Sequence, residues 1–222
     1  MAISLLSSKR TLAAYAPLLE RVFGELSKGR RSDTFVSCFC KDDDNLSQWR
    51  GYGGTVQGIS ITFDRQQLTQ RLTEDGAALY KVTYTKLSTA RRLRDALAGE
   101  VSRFADLDDL VGHGSEDQRF KDLMSRASAL LPKFKHLGFK DEREWRYVVQ
   151  DQPGGDRVRF RPAGNKLVPY IVIGDRQSPL PILSVRIGPG TDQELTARSV
   201  SEFLRANGYS VEVEVSDVPF RI

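Results

Sequence analysis

The segment Glu144-Trp-Arg-Tyr-Val-Val-Gln150 constrains the fold most, because it joins strand periodicity to charge. A strand from about Arg143 to Gln150 places Trp145, Tyr147 and Val149 on one face, and Glu144, Arg146 and Val148 on the other. Glu142 lies on the Glu144 side if the extension begins early enough. The approach, Lys133-Phe-Lys-His-Leu-Gly-Phe-Lys-Asp-Glu142, is dense in charge. A strand that buries an aromatic face and presents Glu-x-Glu-x-Arg on the other is a place for chemistry or for a structural ion pair.

The remaining periodicities predict α+β, with a mainly antiparallel or mixed sheet and inserted helices. One domain over residues 1–222 is expected, with an N-terminal helix at about 11–29 and a helical insertion at about 88–136. In the first helix Leu12, Tyr15, Leu18, Leu19, Val22, Phe23 and Leu26 keep helical spacing, with Pro17 as a kink or first turn. Thr34–Cys40 reads as a strand. Asp42-Asp-Asp-Asn45 reads as a turn that caps a short helix through Ser47-Gln-Trp-Arg50, broken by Gly51, Gly53 and Gly54. Ile59, Ile61 and Phe63 alternate with polar residues and predict the buried face of a central strand. Tyr80, Val82 and Tyr84 predict another strand. Ser88 can cap a helix carrying Leu93, Leu97, Val101 and Phe104. After the connection 108–116, a second helix carries Phe120, Leu123, Met124, Ala127, Leu130, Leu131 and Phe134. Further strands are expected at about Arg157–Arg161, Val168–Ile173 and Ile182–Ile187. Thr191-Asp-Gln-Glu194 reads as a capping box for a helix ending near Asn207-Gly208, followed by a strand with Val211, Val213 and Val215.

Composition narrows the function classes. The chain has 222 residues, 40% hydrophobic and 28% charged, which suits a globular protein with a sizeable core. No run reaches the roughly 18–20 apolar residues of a membrane span. Neither a signal peptide nor a membrane partner is expected. Cys38 and Cys40 share one face of a strand, where a mutual bridge does not form, so reduced thiols and a cytoplasmic setting are expected. Two thiols and two distant histidines make a poor metal set, and no metal is predicted. The net charge of +4 and pI near 9.1 permit nucleic-acid contact without arguing for it.

Two constellations can carry chemistry. In the first, an acidic turn leads to a helix with Trp49, Arg50 and Tyr52. The rings can stack on a flat base and the guanidinium can grip an anion. The alternative is that Trp49 fills the core and Arg50 pairs with Asp42, Asp43 or Asp44. In the second, Glu142 and Glu144 stand near Arg146, suited to proton transfer or to stabilising a cationic sugar. The alternative is neutralisation by Lys133, Lys135, Lys140 or Arg143. His136 is a further candidate beside this strand, although lone histidines more often end helices. No Gly-x-Ser-x-Gly, phosphate-binding Gly-Lys-Ser loop or Rossmann glycine pattern occurs.

Phe35-Val-Ser-Cys-Phe-Cys40, Asn45-Leu-Ser-Gln-Trp-Arg-Gly-Tyr52 and Gly58-Ile-Ser-Ile-Thr-Phe63 together resemble bacterial domain-of-unknown-function family 2971. So do Phe134-Lys-His-Leu-Gly-Phe139 running into Glu142-Arg-Glu-Trp-Arg146, and Ile187-Gly-Pro189 with the elements after it. The resemblance covers roughly Ser32 to the C-terminus. Family members begin with a Tyr-His-Tyr-Thr-like strand and a later Asn-Asp segment, which this chain lacks. A shortened member, or a gene start placed too late, is therefore expected. The layout is similar to ADP-ribosyltransferases, which split a glycosidic bond of NAD with a late-strand glutamate. The resemblance implies that Glu144 holds the nicotinamide ribose and stabilises its developing charge. It implies also that Ser37 sits on the second-motif strand and that Trp49 or Tyr52 flanks the base.

The expected function is a nucleotide-using transferase or NAD glycohydrolase, a toxin or phage-defence effector. The first alternative is a non-enzymatic nucleotide-, nucleic-acid- or protein-binding domain. The second is a metal-dependent hydrolase or nuclease using the Asp42–Asp44 turn and the glutamates.

Overall fold

A computed structural model describes residues 2–28, 34–53, 57–86, 95–96, 99, 115–150, 156–173 and 178–219. The predicted 88–104 helix with its Ser88 cap lies almost wholly outside them, as do most of the 108–116 connection and Gly54. In chain order the elements begin α1 (Ala2–Ser27), β1 (Thr34–Phe39), α2 (Leu46–Tyr52), β2 (Ile59–Phe63), α3 (Arg65–Glu74), β3 (Ala78–Lys81) and β4 (Thr83–Thr85). They continue with α4 (Glu116–Leu130), β5 (Phe134–His136), β6 (Trp145–Gln150), β7 (Arg159–Ala163) and β8 (Lys166–Tyr170). The last are β9 (Ile182–Ile187), α5 (Gln193–Ala206) and β10 (Glu212–Val215). Helices and small mixed sheets together make an α+β fold, as the periodicities predict.

The chain divides into two compact units, each assembled from three stretches. The first comprises Met1–Ser37, Tyr80–Phe139 and Arg146–Ile171. Its core joins Leu18 and Val22 of α1 to Leu123, Ala127 and Leu130 of α4, with Phe23, Phe120 and Met124 packed around them. Ser115 caps α4, its hydroxyl accepting from the Gln118 N–H. The helical stripe was expected to run to Phe134. Pro132 instead sits in a 3-10 turn, Leu131–Lys133, and Phe134 opens β5, which pairs in parallel with β4. Strand β6 lies between β1 and β3 in a three-stranded sheet. Tyr147, Val148 and Val149 are all buried, so this strand is covered on both faces rather than one. The single strand expected over Tyr80–Tyr84 is two, β3 and β4, in different sheets, with buried Val82 at the break. The strands expected at 157–161 and 168–173 form one hairpin, β7–β8, closed by Gly164 and Asn165. Gly164 supplies the positive φ, 59°, that the first position of such a turn requires.

The second unit comprises Cys38–Leu79, Lys140–Trp145 and Val172–Ile222. Strand β9 is the middle of a sheet ordered β10-β9-β2, parallel to β10 and antiparallel to β2. Helix α5 connects β9 to β10 and packs on both, burying Val185, Ile187 and Leu204. Its start departs from the capping box. Asp192 is the N-cap but its side chain caps nothing, and it accepts from the Thr191 hydroxyl instead.

Strand β2 corrects the expectation of a buried central strand. Its side chains alternate as expected, and Ile59 and Ile61 stand opposite Ile187 and Val185 on the same face. That face is covered by α5 over β9 and β10, whereas β2 is the edge. Ile59 is consequently 50% exposed and Ile61 46%, and only Phe63 is half-buried, edge-on to the Phe39 ring. The α3 helix was not foreseen, since Leu68 and Leu72 are its only buried residues. Asp64 fixes its start by accepting from the Gln67 N–H at 2.9 Å.

Candidate functional site

The second unit brings the acidic turn, α2 and the segment before β6 together. Asn45 is the N-cap of α2, its Oδ1 accepting from the Ser47 N–H at 2.9 Å. Its Nδ2 donates to the Asp141 carbonyl at 3.3 Å. Asp42 Oδ2 pairs with Arg143 Nη2 at 2.6 Å. These two contacts seat the Lys140–Trp145 segment against the turn. The strand expected from Arg143 begins only at Trp145, because Arg143 adopts a left-handed backbone with φ 43°. For a long side chain that conformation costs about 1–3 kcal/mol. Glu144 follows at once and is 4% exposed, an acidic residue inside the protein at the entry to β6. The Arg65 guanidinium covers the Trp145 ring, 4.2 Å from its centroid. Glu142 is half-buried in the 3-10 turn before Arg143.

Trp49 is held by packing. A Cβ at Gly188 would stand 2.9 Å from its ring, and one at Gly58 3.2 Å, so both glycines make room for the indole. Its Nε1 donates to Asp44 Oδ1 at 2.7 Å. The same carboxylate accepts from the Ser216 hydroxyl and, through Oδ2, from the Asp217 N–H at 3.0 Å. Burial by itself would raise the Asp44 pKa. The hydrogen bonds from Ser216, Trp49 and Asp217 and the charge of Arg186 outweigh it and hold the carboxyl below its ordinary range. Arg186 on β9 pairs with Asp43 at 3.0 Å and with Glu214, which holds its guanidinium firmly charged despite burial. The partners expected for Arg50 are thus taken by others: Arg143 holds Asp42, and Arg186 holds Asp43.

Arg50 itself is exposed, and Tyr52, on the last turn of α2, is 75% exposed. Gly51 does not break this helix, which ends at Gly53. The other candidates stand in the first unit. Ser37 is exposed on β1. Arg146 donates from Nη1 to the Pro132 carbonyl at 2.6 Å. His136 is exposed, and its Nδ1 accepts from the Gly138 N–H at 3.1 Å. Lys133 lies over the Tyr80 ring and Lys135 over that of Phe139. Cys38 and Cys40 both carry thiols. The Cys40 thiol donates to the Asp42 carbonyl, and partial burial, then the charges of Asp42 and Asp43, raise its pKa.

The sequence places Arg186 in an expected strand and Gly188 in the turn after it, but assigns no part in this site to Arg186, Ser216 or Gly188. Each is more than 120 residues from the turn it serves, so no local spacing links them. Among the described residues, no group of three or more His, Cys, Asp and Glu is arranged to hold a metal ion. No helix among them is long and apolar enough to cross a membrane.

No curated protein and no solved structure matches the chain. One family model does, across α2, β2 and the whole Glu142–Arg146 segment. Over residues 48–147 the chain is similar to the family described as "Protein of unknown function (DUF2971)", which supports the resemblance carried by Trp49, Tyr52, Glu142, Glu144 and Arg146.

Proposed function

We propose that the chain is a nucleotide-using transferase or NAD glycohydrolase with Glu144 as its catalytic carboxylate. The observation that carries this reading is a strained backbone beside a buried acid. Arg143 holds a left-handed φ immediately before Glu144, which is almost wholly buried. Such strain collects where surrounding structure must fix a side chain. In the reaction the bond between nicotinamide and the ribose carbon breaks, and nicotinamide leaves with the electron pair. Glu144 stabilises the positive charge left on the ribose. Water or an acceptor hydroxyl then forms the new C–O bond and releases a proton. Arg50 and Tyr52 offer a guanidinium for phosphate and a ring for the base. An effector acting in toxicity or phage defence would use such chemistry.

The test is incubation with NAD, following nicotinamide by chromatography. The wild type should release it. Glu144→Gln should abolish release with little change in melting temperature, since shape is kept and charge lost. If Glu144 serves instead as a buried ion-pair partner, the same change should cost about 3–5 kcal/mol of stability. A second reading, a non-enzymatic nucleotide-binding domain, is favoured by the exposed ring of Tyr52. It predicts calorimetric binding of NAD, weakened by Tyr52→Ala, without cleavage.

A further inference from the structure

The β7–β8 hairpin carries a feature outside the site above. Between Arg157 and Ile173 the sequence has four cations and no acid. The register pairs Arg159 with Tyr170, Arg161 with Val168 and Ala163 with Lys166. These residues share one face, so Arg159, Arg161 and Lys166 stand together, all exposed. The other pairs are Phe160 with Pro169 and Pro162 with Leu167. That opposite face is wholly apolar, with Phe160 64% and Leu167 72% exposed.

We infer that this hairpin docks on the surface of an anionic lipid bilayer. A ribbon one strand thick, with one face wholly apolar and three exposed cations on the other among Ala163, Val168 and Tyr170, matches the two layers of a bilayer interface. The apolar face meets the acyl boundary, and the long basic side chains reach back to headgroup phosphates. Prolines reinforce this. Antiparallel pairs alternate between those that exchange backbone hydrogen bonds and those whose N–H groups face outward. Proline has no N–H, so Pro162 and Pro169 mark the apolar pairs as the outward-facing ones. Half of those outward positions therefore present no donor to be stripped of water. The same prolines blunt both edges against an added strand, and the shared positive charge opposes a second copy. A nucleic acid would satisfy the cations but leave Leu167 and Phe160 without a counterpart. The association is peripheral, and so departs from the expectation of no membrane partner, which rested on the lack of an apolar run long enough to span.

The full chain should sediment with phosphatidylglycerol-containing vesicles and not with pure phosphatidylcholine, and added salt should release it. The triple variant Arg159→Ala, Arg161→Ala, Lys166→Ala should weaken binding by about 10- to 100-fold. Phe160→Ser with Leu167→Ser should also weaken it at least about tenfold, with charge unchanged. All five side chains are exposed, so melting temperatures should hold. Absence of vesicle binding overturns the inference, as does equal binding to neutral lipid or binding indifferent to the serine pair. A labelled single-stranded oligonucleotide that binds through the cations alone, with vesicles ignored, would reassign the face to nucleic acid.

Discussion

Asp44 shows how one side chain can hold a distant set of elements. Its two oxygens tie the α2 indole to Ser216 and Asp217, beyond β10. Because its folded pKa lies below the ordinary carboxyl value of 3.8, its contribution is complete above that value and is lost as pH falls through the lower folded pKa. Asp44→Asn removes the charge and sets an amide donor among donors. The variant should lose about 2 kcal/mol near neutral pH. It should also lose less further stability than wild type on acidification below about pH 4. Urea unfolding at neutral and acidic pH measures both, and parallel losses in the two proteins would remove Asp44 as the titrating group. At this scale the sequence was half legible. The acidic turn and the Trp49 helix are visible in order, and the Asn45 cap follows from residue type. Which arginine meets which aspartate was not visible, because the nearer Arg50 lies at the surface while Arg186 comes from β9.

Elements were legible where one periodic face meets one partner. Helices α1 and α4 keep their apolar stripes because each buries against the other. Strands β9 and β10 and helix α5 likewise follow from alternation and helical spacing. Periodicity gives a side chain's face but not the width of the cover above it, and so β2 was misjudged. That difference has a measurable consequence. Ile187→Ala empties a fully buried site and should cost about 3–4 kcal/mol, within the range for buried aliphatics. Ile61→Ala, on the same sheet face one strand away, should cost about 1 kcal/mol, since half its side chain already meets water. Equal losses would mean that β2 is covered in solution. Strand β6 failed in the other direction. Its alternation suggested one buried face, yet Val148 is buried along with Tyr147 and Val149, so layers cover both faces, and a lone valine between polar neighbours on its face gives no sign of that.

At the scale of the whole molecule, connectivity decides what can fold alone. Each unit draws on three separated stretches, so a truncation can remove one stretch of a unit whose other stretches remain. A chain ending at Phe139 keeps α1 and α4 but loses β6. The strands β1 and β3 that flank it would lose their common partner, and the buried Tyr147, Val148 and Val149 would go with it. Unpaired edges of that kind invite aggregation. A chain ending at Ile171 retains all three stretches of the first unit, including the Leu18, Val22, Leu123, Ala127 and Leu130 core. The longer fragment should therefore show a cooperative melting transition by circular dichroism. The shorter should show a shallow, helix-only loss of signal and precipitate on heating. This contrast separates local helix content from folding, because both fragments contain α1 and α4. If the Ile171 fragment also melts without cooperativity, the first unit depends on residues after 171 for its stability. The two units would then be a description of packing alone, and mutational losses in their two cores would be expected to couple rather than add.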